Sequence, residues 1–308
     1  MHTPTVSIGL PVYNGERFLG FALDSLLEQD YADFELIISD NASEDGTGAI
    51  CRRYAERDQR IRYIRAQVNQ GATRNFRTVF EEARGKYFKW AYHDDVCLPG
   101  FLRRCVEVLE QAPLSVALVA PRTEIIDAKG ERVSKLTAER MDIRSPRPHQ
   151  RLADVLRTVQ WAPAQCGLFR TATLRKTRLI EPFFASDYVL LAEVALLGEI
   201  WEIPEILFQR RFHPGISTEA NKSPTALLSW FDPASPRKKN LLSPRMRLGA
   251  EYVRSISRLR LPLADRVRCY ATALVVWYGK EFRRSGGHYK NRLKERIRTS
   301  LGLAARLA

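Results

Sequence analysis

Residues 89 to 99, KWAYHDDVCLP, set two adjacent carboxylates, Asp94 and Asp95, directly after a run that reads as a buried strand. A carboxylate that close to an apolar core is costly without a partner. The pair therefore calls for a cation, a substrate or a protein partner. The plainer use of the same residues is a helix cap and an acidic first turn ahead of LPGFLRRC. Other groups able to do chemistry stand in comparable places: Tyr13 and Asn14 behind TVSIGLP, Asp40 and Asn41 behind FELIISD, and Asn69 behind IRYIRA. Asp187 opens an apolar helical run in FFASDYVLLAEVALLG, and His213 precedes a proline in RRFHPG. Each again has a structural reading: an Asx-turn at Asp40, a helix cap at Asp187, a turn at His213.

These residues need elements that bring them together. Up to residue 121 the chain alternates short apolar or β-branched runs with helical patterns. Strands are predicted at 5 to 11, 34 to 40, 61 to 66, 86 to 92 and 115 to 121. Helices are predicted at 16 to 29, up to about 57, at 72 to 83, and from Pro99 onward. Such alternation implies a parallel sheet with right-handed crossovers and helices on both faces, and such sheets bind ligands beyond the carboxyl ends of their strands. The conspicuous polar residues lie at those ends, so four strand ends converge on one site. Further on, the pattern predicts a hairpin around DAKGE, a helix from near Leu152, a helix over 185 to 198, and two strands, EIWEIP and ILFQRRFHP. Two basic amphipathic helices follow, at 244 to 259 and 263 to 284.

With 308 residues, 45% hydrophobic and 27% charged, the chain has the composition of a folded protein with a substantial core. A formal charge of +14 favours an anionic partner. No RNP, KH or zinc-finger signature accompanies that charge, which argues against nucleic acid. The five cysteines are scattered, with no CxxC pair, which suggests neither a disulfide framework nor a thiolate zinc site and fits a reducing cytosol. The N-terminus lacks the basic and apolar regions of a signal peptide. No apolar run approaches the roughly 20 residues that a membrane span needs.

At the level of whole motifs, VSIGLPVYNGERFLGFALDSLLEQDYADFELIISDNASEDGT followed by NQGATRNFRTVFEEARGKYFKWAYHDD resembles the nucleotide-sugar half of a family 2 glycosyltransferase with the GT-A fold. The segment ASDYVLLAEVALLGEIWEIPEILFQRRFHPG extends the likeness to about residue 215. The resemblance implies an α/β fold: a mostly parallel, Rossmann-like sheet flanked by helices. It also implies a GT-A domain over 1–220, with a nucleotide-sugar half (1–121) and an acceptor half (122–220). Residues 221–308 then form a basic helical extension.

The activity implied is an inverting, metal-dependent transfer of a sugar from a nucleoside diphosphate, UDP or dTDP, to a hydroxyl. Mn²⁺ or Mg²⁺ would bridge the diphosphate, since hard cations are held by one or two carboxylates plus substrate phosphates. Carried over residue by residue, the metal side falls to Asp94, Asp95 and His213, and Asp94 also contacts the sugar nucleotide. Asp40 accepts a hydrogen bond from the base. Pro11, Tyr13, Asn14 and Glu16 resemble the first-strand loop against base and ribose. Asn41 belongs with Asp40, and Asn69 and Arg74 belong to an NxGxxxxN segment near the nucleotide. Asp187 takes the place of the general base. Two positions depart from the common pattern: Tyr92 replaces the first carboxylate of Asp-x-Asp-Asp, and Ser186 replaces the Glu that often precedes the base.

The implied acceptor is a glycan or a lipid-linked sugar in bacterial surface polysaccharide or glycolipid assembly. The cationic helices suit an anionic membrane surface at the inner face of the plasma membrane, or equally a solvated face or a homodimer contact. Two other classes remain open at this level. A nucleotidyltransferase would carry a Gly-rich basic loop where this chain has PVYNGERF. A non-catalytic nucleotide-binding or membrane scaffold is suggested by Tyr92 and Ser186.

Overall fold

The strands of the first half are buried on both faces, so they read as apolar runs without alternation. In a computed structural model, which describes residues 3–133, 139–216, 223–234 and 243–279, β1 (Val6–Val12) and β2 (Phe34–Asp40) are buried along their whole length. With β3 (Ile61–Arg65) and β4 (Tyr87–Trp90) they form a parallel group in the order β3-β2-β1-β4. The crossover helices are α1 (Glu16–Leu27), α2 (Thr47–Arg57) and α3 (Ala72–Glu81). α1 buries Phe18, Leu19, Ala22, Leu23 and Leu26, spaced as one helical stripe.

Beyond β4 the sheet departs from the expectation of an uninterrupted parallel order. A three-residue strand, β7 (Leu168–Arg170), runs antiparallel between β4 and β6 (Val116–Ile126). The two strands expected in EIWEIP and ILFQRRFHP are one, β8 (Glu199–Arg211), parallel to β6. Its register shifts between the pairs Pro121–Ile203 and Arg122–Ile206: Pro204 of β8 falls between them, and a proline has no N–H for the ladder and favours a bulge. β5 (Val96–Cys97) closes the order β3-β2-β1-β4-β7-β6-β8-β5, pairing Val96 with Gln209 antiparallel. That pairing lays the Asp94–Asp95 turn against the end of β8.

Helices α4 (Phe101–Gln111), α5 (Pro148–Thr158), α6 (Thr171–Leu174) and α7 (Ser186–Leu197) complete the layers. One core, with Leu36, Ile38, Leu19 and Phe101, lies on one face of the sheet; the other, with Ile37, Phe88, Trp90 and Leu190, lies on the opposite face. The second core takes in the chain's last described helices: α8 (Pro224–Phe231), α9 (Pro244–Arg258) and α10 (Leu263–Thr272), which winds on as a π segment, Ala273–Tyr278. Tyr252, Ile256, Cys269 and Trp277 are buried in it, so a division at residue 220 runs through shared packing. Arg178 ties α9 to α7: its guanidinium meets Glu193 at 2.8 Å and Glu251 at 2.6 Å, and Ser255 donates to Glu193 at 2.8 Å. The predicted helix over 263 to 284 passes outside the described residues after Gly279. All five cysteines are free and buried. Among the described residues no helix is long and apolar enough to cross a membrane.

Candidate active site

Two loops at the carboxyl ends of β1 and β2 are laced together. Asn14, at a left-handed φ of 50°, takes the amide of Glu44 on its side-chain oxygen, and its own N–H donates to Ser43. Glu16 accepts from the Gly46 amide at 2.6 Å, and Gly15 donates to Thr47 at 2.8 Å. Pro11 is buried beneath this loop and Tyr13 is 37% exposed on it. Asn41 joins the next loop: its side chain donates to Asn69 at 2.8 Å and accepts from the Gln70 amide. Asn69 also receives the Gly71 N–H. Gly71 has φ of 84°, and a Cβ there would lie 2.4 Å from the Phe231 carbonyl oxygen; only glycine fits.

Asp40 is fully buried, and its carboxylate is occupied by the protein. One oxygen accepts the Ser43 amide; the other accepts Tyr63 at 2.9 Å and Arg65. Asp40 and Arg65 are register partners in the β2–β3 ladder. A nucleobase reaches this carboxylate only if Arg65 turns away, and that side chain is 41% exposed. Arg74 points along α3 to pair with Glu81 at 2.9 Å on an exposed surface; it has no contact with the other candidate residues in this conformation.

The Asp94–Asp95 turn meets the end of β8. Asp94 Oδ2 lies 3.0 Å from His213 Nε2, and the Asp94 carbonyl accepts Arg211 Nε at 2.9 Å. Asp95 Oδ1 accepts the Arg211 amide at 2.9 Å. The His213 ring packs on Phe18 with centroids 4.6 Å apart, and Arg211 stacks over the same phenyl ring at 4.9 Å. The His93 ring packs close against Gly15, where a Cβ would approach it to 2.7 Å. The neighbouring carboxylates diverge in acidity. Burial pushes Asp94 up, but the hydrogen bond from His213 and the positive potential of His93 and His213 outweigh it and hold it below the usual range. Burial and then the charge of Asp94 push Asp95 up to about 7.

Two atoms bound at right angles to one ion, each about 2.0–2.1 Å away, lie about 3 Å apart. Asp94 Oδ2 and His213 Nε2 have that spacing and could be neighbouring ligands. Among the described residues no group of three or more His, Cys, Asp or Glu is arranged to hold a metal ion.

Across from this edge, α7 begins after Ala185 in a left-handed conformation, φ 59°. Asp187 occupies its first turn; it does not cap the helix. Burial lifts its carboxyl to about 6, against the backbone N–H of Tyr188 and the charge of Arg210. Arg210 is the cation felt by Asp187, Asp95 and Tyr92 together, and it donates to the Trp161 carbonyl at 2.8 Å. Tyr92, packed on Phe76 at 5.7 Å, stays a neutral phenol because burial drives its pKa far up. Glu139 pins the loop opposite, accepting the amides of Gln160 and Trp161 at 3.1 and 2.6 Å, with its second oxygen buried and unpartnered. The Trp161 ring remains 46% exposed.

Four of these contributors escape a reading of motifs: Arg65, Lys89, Glu139 and the central place of Arg210. Lys89 is fully buried beneath the turn, donating to the Cys166 carbonyl at 2.6 Å with its ammonium 4.2 Å from the Phe101 ring centre. A lysine inside the apolar strand YFKW was its visible signal.

The sequence profile described as Glycosyl transferase family 2 matches residues 7–173. An uncharacterised glycosyltransferase of Rickettsia prowazekii is 26% identical over 227 residues, 71% of this chain and 67% of the relative. EpsJ of Bacillus subtilis, named an uncharacterised glycosyltransferase, is 38% identical over 113 residues, 37% of this chain and 33% of its own. Among solved structures, S. aureus TarS 1-349 in complex with UDP-GlcNAc aligns at a TM-score of 0.55 and 14% identity, covering 91% of this chain and 92% of that one. The mannosyltransferase PcManGT of Pyrobaculum calidifontis, with GDP-Man and Mn²⁺, aligns at 0.52 and 17% identity, covering 89% and 70%. The architecture is therefore GT-A, and since the profile spans more than half of the chain, the protein belongs to glycosyl transferase family 2 and is a glycosyl-transferring enzyme.

Proposed function

We propose that the protein transfers a sugar, with inversion, from a nucleoside diphosphate to a hydroxyl of a glycan or lipid-linked acceptor, using a divalent cation. The observation that supports this reading is the 3.0 Å contact between Asp94 Oδ2 and His213 Nε2, a spacing that neighbouring ligands of one ion would also have, with a carboxyl group of raised pKa, Asp187, sharing the Arg210 cation with their turn. When bound, Mn²⁺ or Mg²⁺ supplies Lewis-acid stabilisation of the departing diphosphate. Asp94 and His213 would hold it, with Asp95 beside them toward the metal or the donor sugar.

Asp187 removes the acceptor proton as the new bond forms, a task suited to a carboxyl lifted toward neutrality. Arg210 lies near enough to both that carboxylate and Asp95 for its charge to favour the ionised form of each. Tyr92, a neutral phenol where a third carboxylate is common, leaves the site less negative toward a diphosphate. The loops of Pro11, Tyr13, Asn14 and Glu16 and of Asn41 and Asn69 border the nucleotide, with Asp40 reading a uracil or thymine imide once Arg65 swings out. Arg74 reaches a phosphate only on leaving Glu81. The solved neighbours bound to UDP-GlcNAc and GDP-Man support a sugar-nucleotide donor. The site of action we assign is the cytoplasmic membrane face, in surface polysaccharide or glycolipid assembly.

The test is slow donor hydrolysis without acceptor, run over UDP-, dTDP- and GDP-sugars with Mn²⁺ or with EDTA. Sugars of one nucleotide should be consumed with the metal and spared in EDTA. Hydrolysis that ignores EDTA would remove the cation from the mechanism, and no hydrolysis of any donor would count against the donor assignment.

A further inference from the structure

We propose that the outer face of the last described helix docks on an anionic lipid membrane, an inference that rests on the transferase reading only for its purpose. α10 and its π continuation turn Cys269, Ala273 and Trp277 into the core. The opposite side exposes Leu263 at 75%, Val267 at 58%, Leu274 at 58%, Val275 at 73% and Tyr278 at 40%. Ala264 and Ala271 are exposed between them, and the spacing of three and four residues makes one continuous helical stripe. Apolar side chains of that size, held together on one face, mark a surface that is covered in use.

Charge selects what covers it. Arg260 and Arg268 are exposed along the stripe. The acidic residues beside it are Asp265, half-buried and 3.6 Å from Arg268, and Asp154 of α5, which shares a groove with Ala271 and Val275 and lies 3.5 Å from Arg157. The sequence that continues from it, residues 280 to 298, holds eight Lys and Arg against two Glu. An apolar helical face bordered by arginines fits the boundary between acyl chains and anionic head groups: the side chains enter the apolar layer and the guanidinium groups meet phosphate. A protein partner of matching shape would need an acidic rim around an apolar groove, whereas a membrane supplies both features in any orientation. Among the described residues no helix is long and apolar enough to span, and the contact proposed is a peripheral one. It would hold the enzyme at the surface where lipid-linked acceptors reside.

Co-sedimentation of the full chain with vesicles tests this, using equal parts phosphatidylglycerol and phosphatidylcholine against phosphatidylcholine alone. The wild type should pellet with the anionic vesicles, release in high salt and ignore the neutral ones. Val267→Glu with Val275→Glu should lower partitioning by about tenfold or more while donor hydrolysis in free solution stays unchanged; Val267→Ser, a milder change, should lower it less. Three results would overturn the proposal. The first is equal pelleting of wild type and double variant. The second is a wild-type dimer in sedimentation velocity that the variant dissociates without any lipid binding, assigning the face to a second copy. The third is a melting temperature lowered by the variants without a change in lipid binding, assigning it to residues 280–308. Vesicle binding without hydrolysis of any nucleotide sugar would leave docking standing and remove the transferase reading; hydrolysis without vesicle binding would do the reverse.

Discussion

Asp187 and Asp95 illustrate how residue types alone leave a role undecided. Both are carboxylates near apolar segments, yet each owes its raised pKa to burial, Asp95 with the added charge of Asp94. A general base must be ionised to accept a proton, so a carboxyl of pKa about 6 loses its active form as the pH falls through that value. Transfer should therefore drop about tenfold between pH 7 and pH 5, with an inflection near 6 in kcat. Asp187→Asn should reduce kcat by at least about a hundredfold while nucleotide-sugar affinity holds. A near wild-type turnover, or a flat profile through the acid range, would show that another group takes the proton. The pairs that failed to show in the sequence are long-range ones. Arg65 meets Asp40 only because β2 and β3 align in that register, and Glu139 finds the amides of residues 160 and 161 across a loop. Tyr92 was visible as a departure, but its place as a half-buried, neutral phenol beside Arg210 required the fold.

Among the elements, the parallel strands were legible because burial on both faces makes them continuous apolar runs, and α1 because its buried positions recur with a helical period. β7 was not: three residues carry no periodicity, and its place between β4 and β6 depends on pairing with both. β8 was read as two strands because Pro204 interrupts it, although a proline at a register irregularity leaves the strand whole. α8 lies within the stretch expected to be helical, but ahead of the two helices whose bounds the residue pattern gave, and it presents the Phe231 carbonyl to Gly71. The attachment of α9 to α7 depends on a buried ion network, with Glu193 fully buried and Arg178 8% exposed. Removing one partner of such a network leaves an uncompensated charge inside the protein. Arg178→Ala should therefore cost about 3–5 kcal/mol in chemical denaturation. A loss below about 1 kcal/mol would mean that apolar packing alone carries α9.

At the scale of the whole molecule, one face of the sheet is closed by α1 and α4 and the other by helices from both ends of the chain, so the C-terminal helices belong to the catalytic body's core. The strand ends of β1, β2, β4 and β8 then deliver their polar residues to one edge, with α7 facing them. The strongly positive balance of the chain is consistent with both an anionic donor and an anionic surface. The central claim is that Asp94 and His213 hold a cation that in turn holds the donor's diphosphate. Titration calorimetry of the nucleoside diphosphate released in the hydrolysis screen, in Mn²⁺ and then in EDTA, tests it most directly. The account predicts affinity at least about tenfold weaker without the metal, a difference of about 1.4 kcal/mol or more. Equal affinity in the two solutions would contradict it.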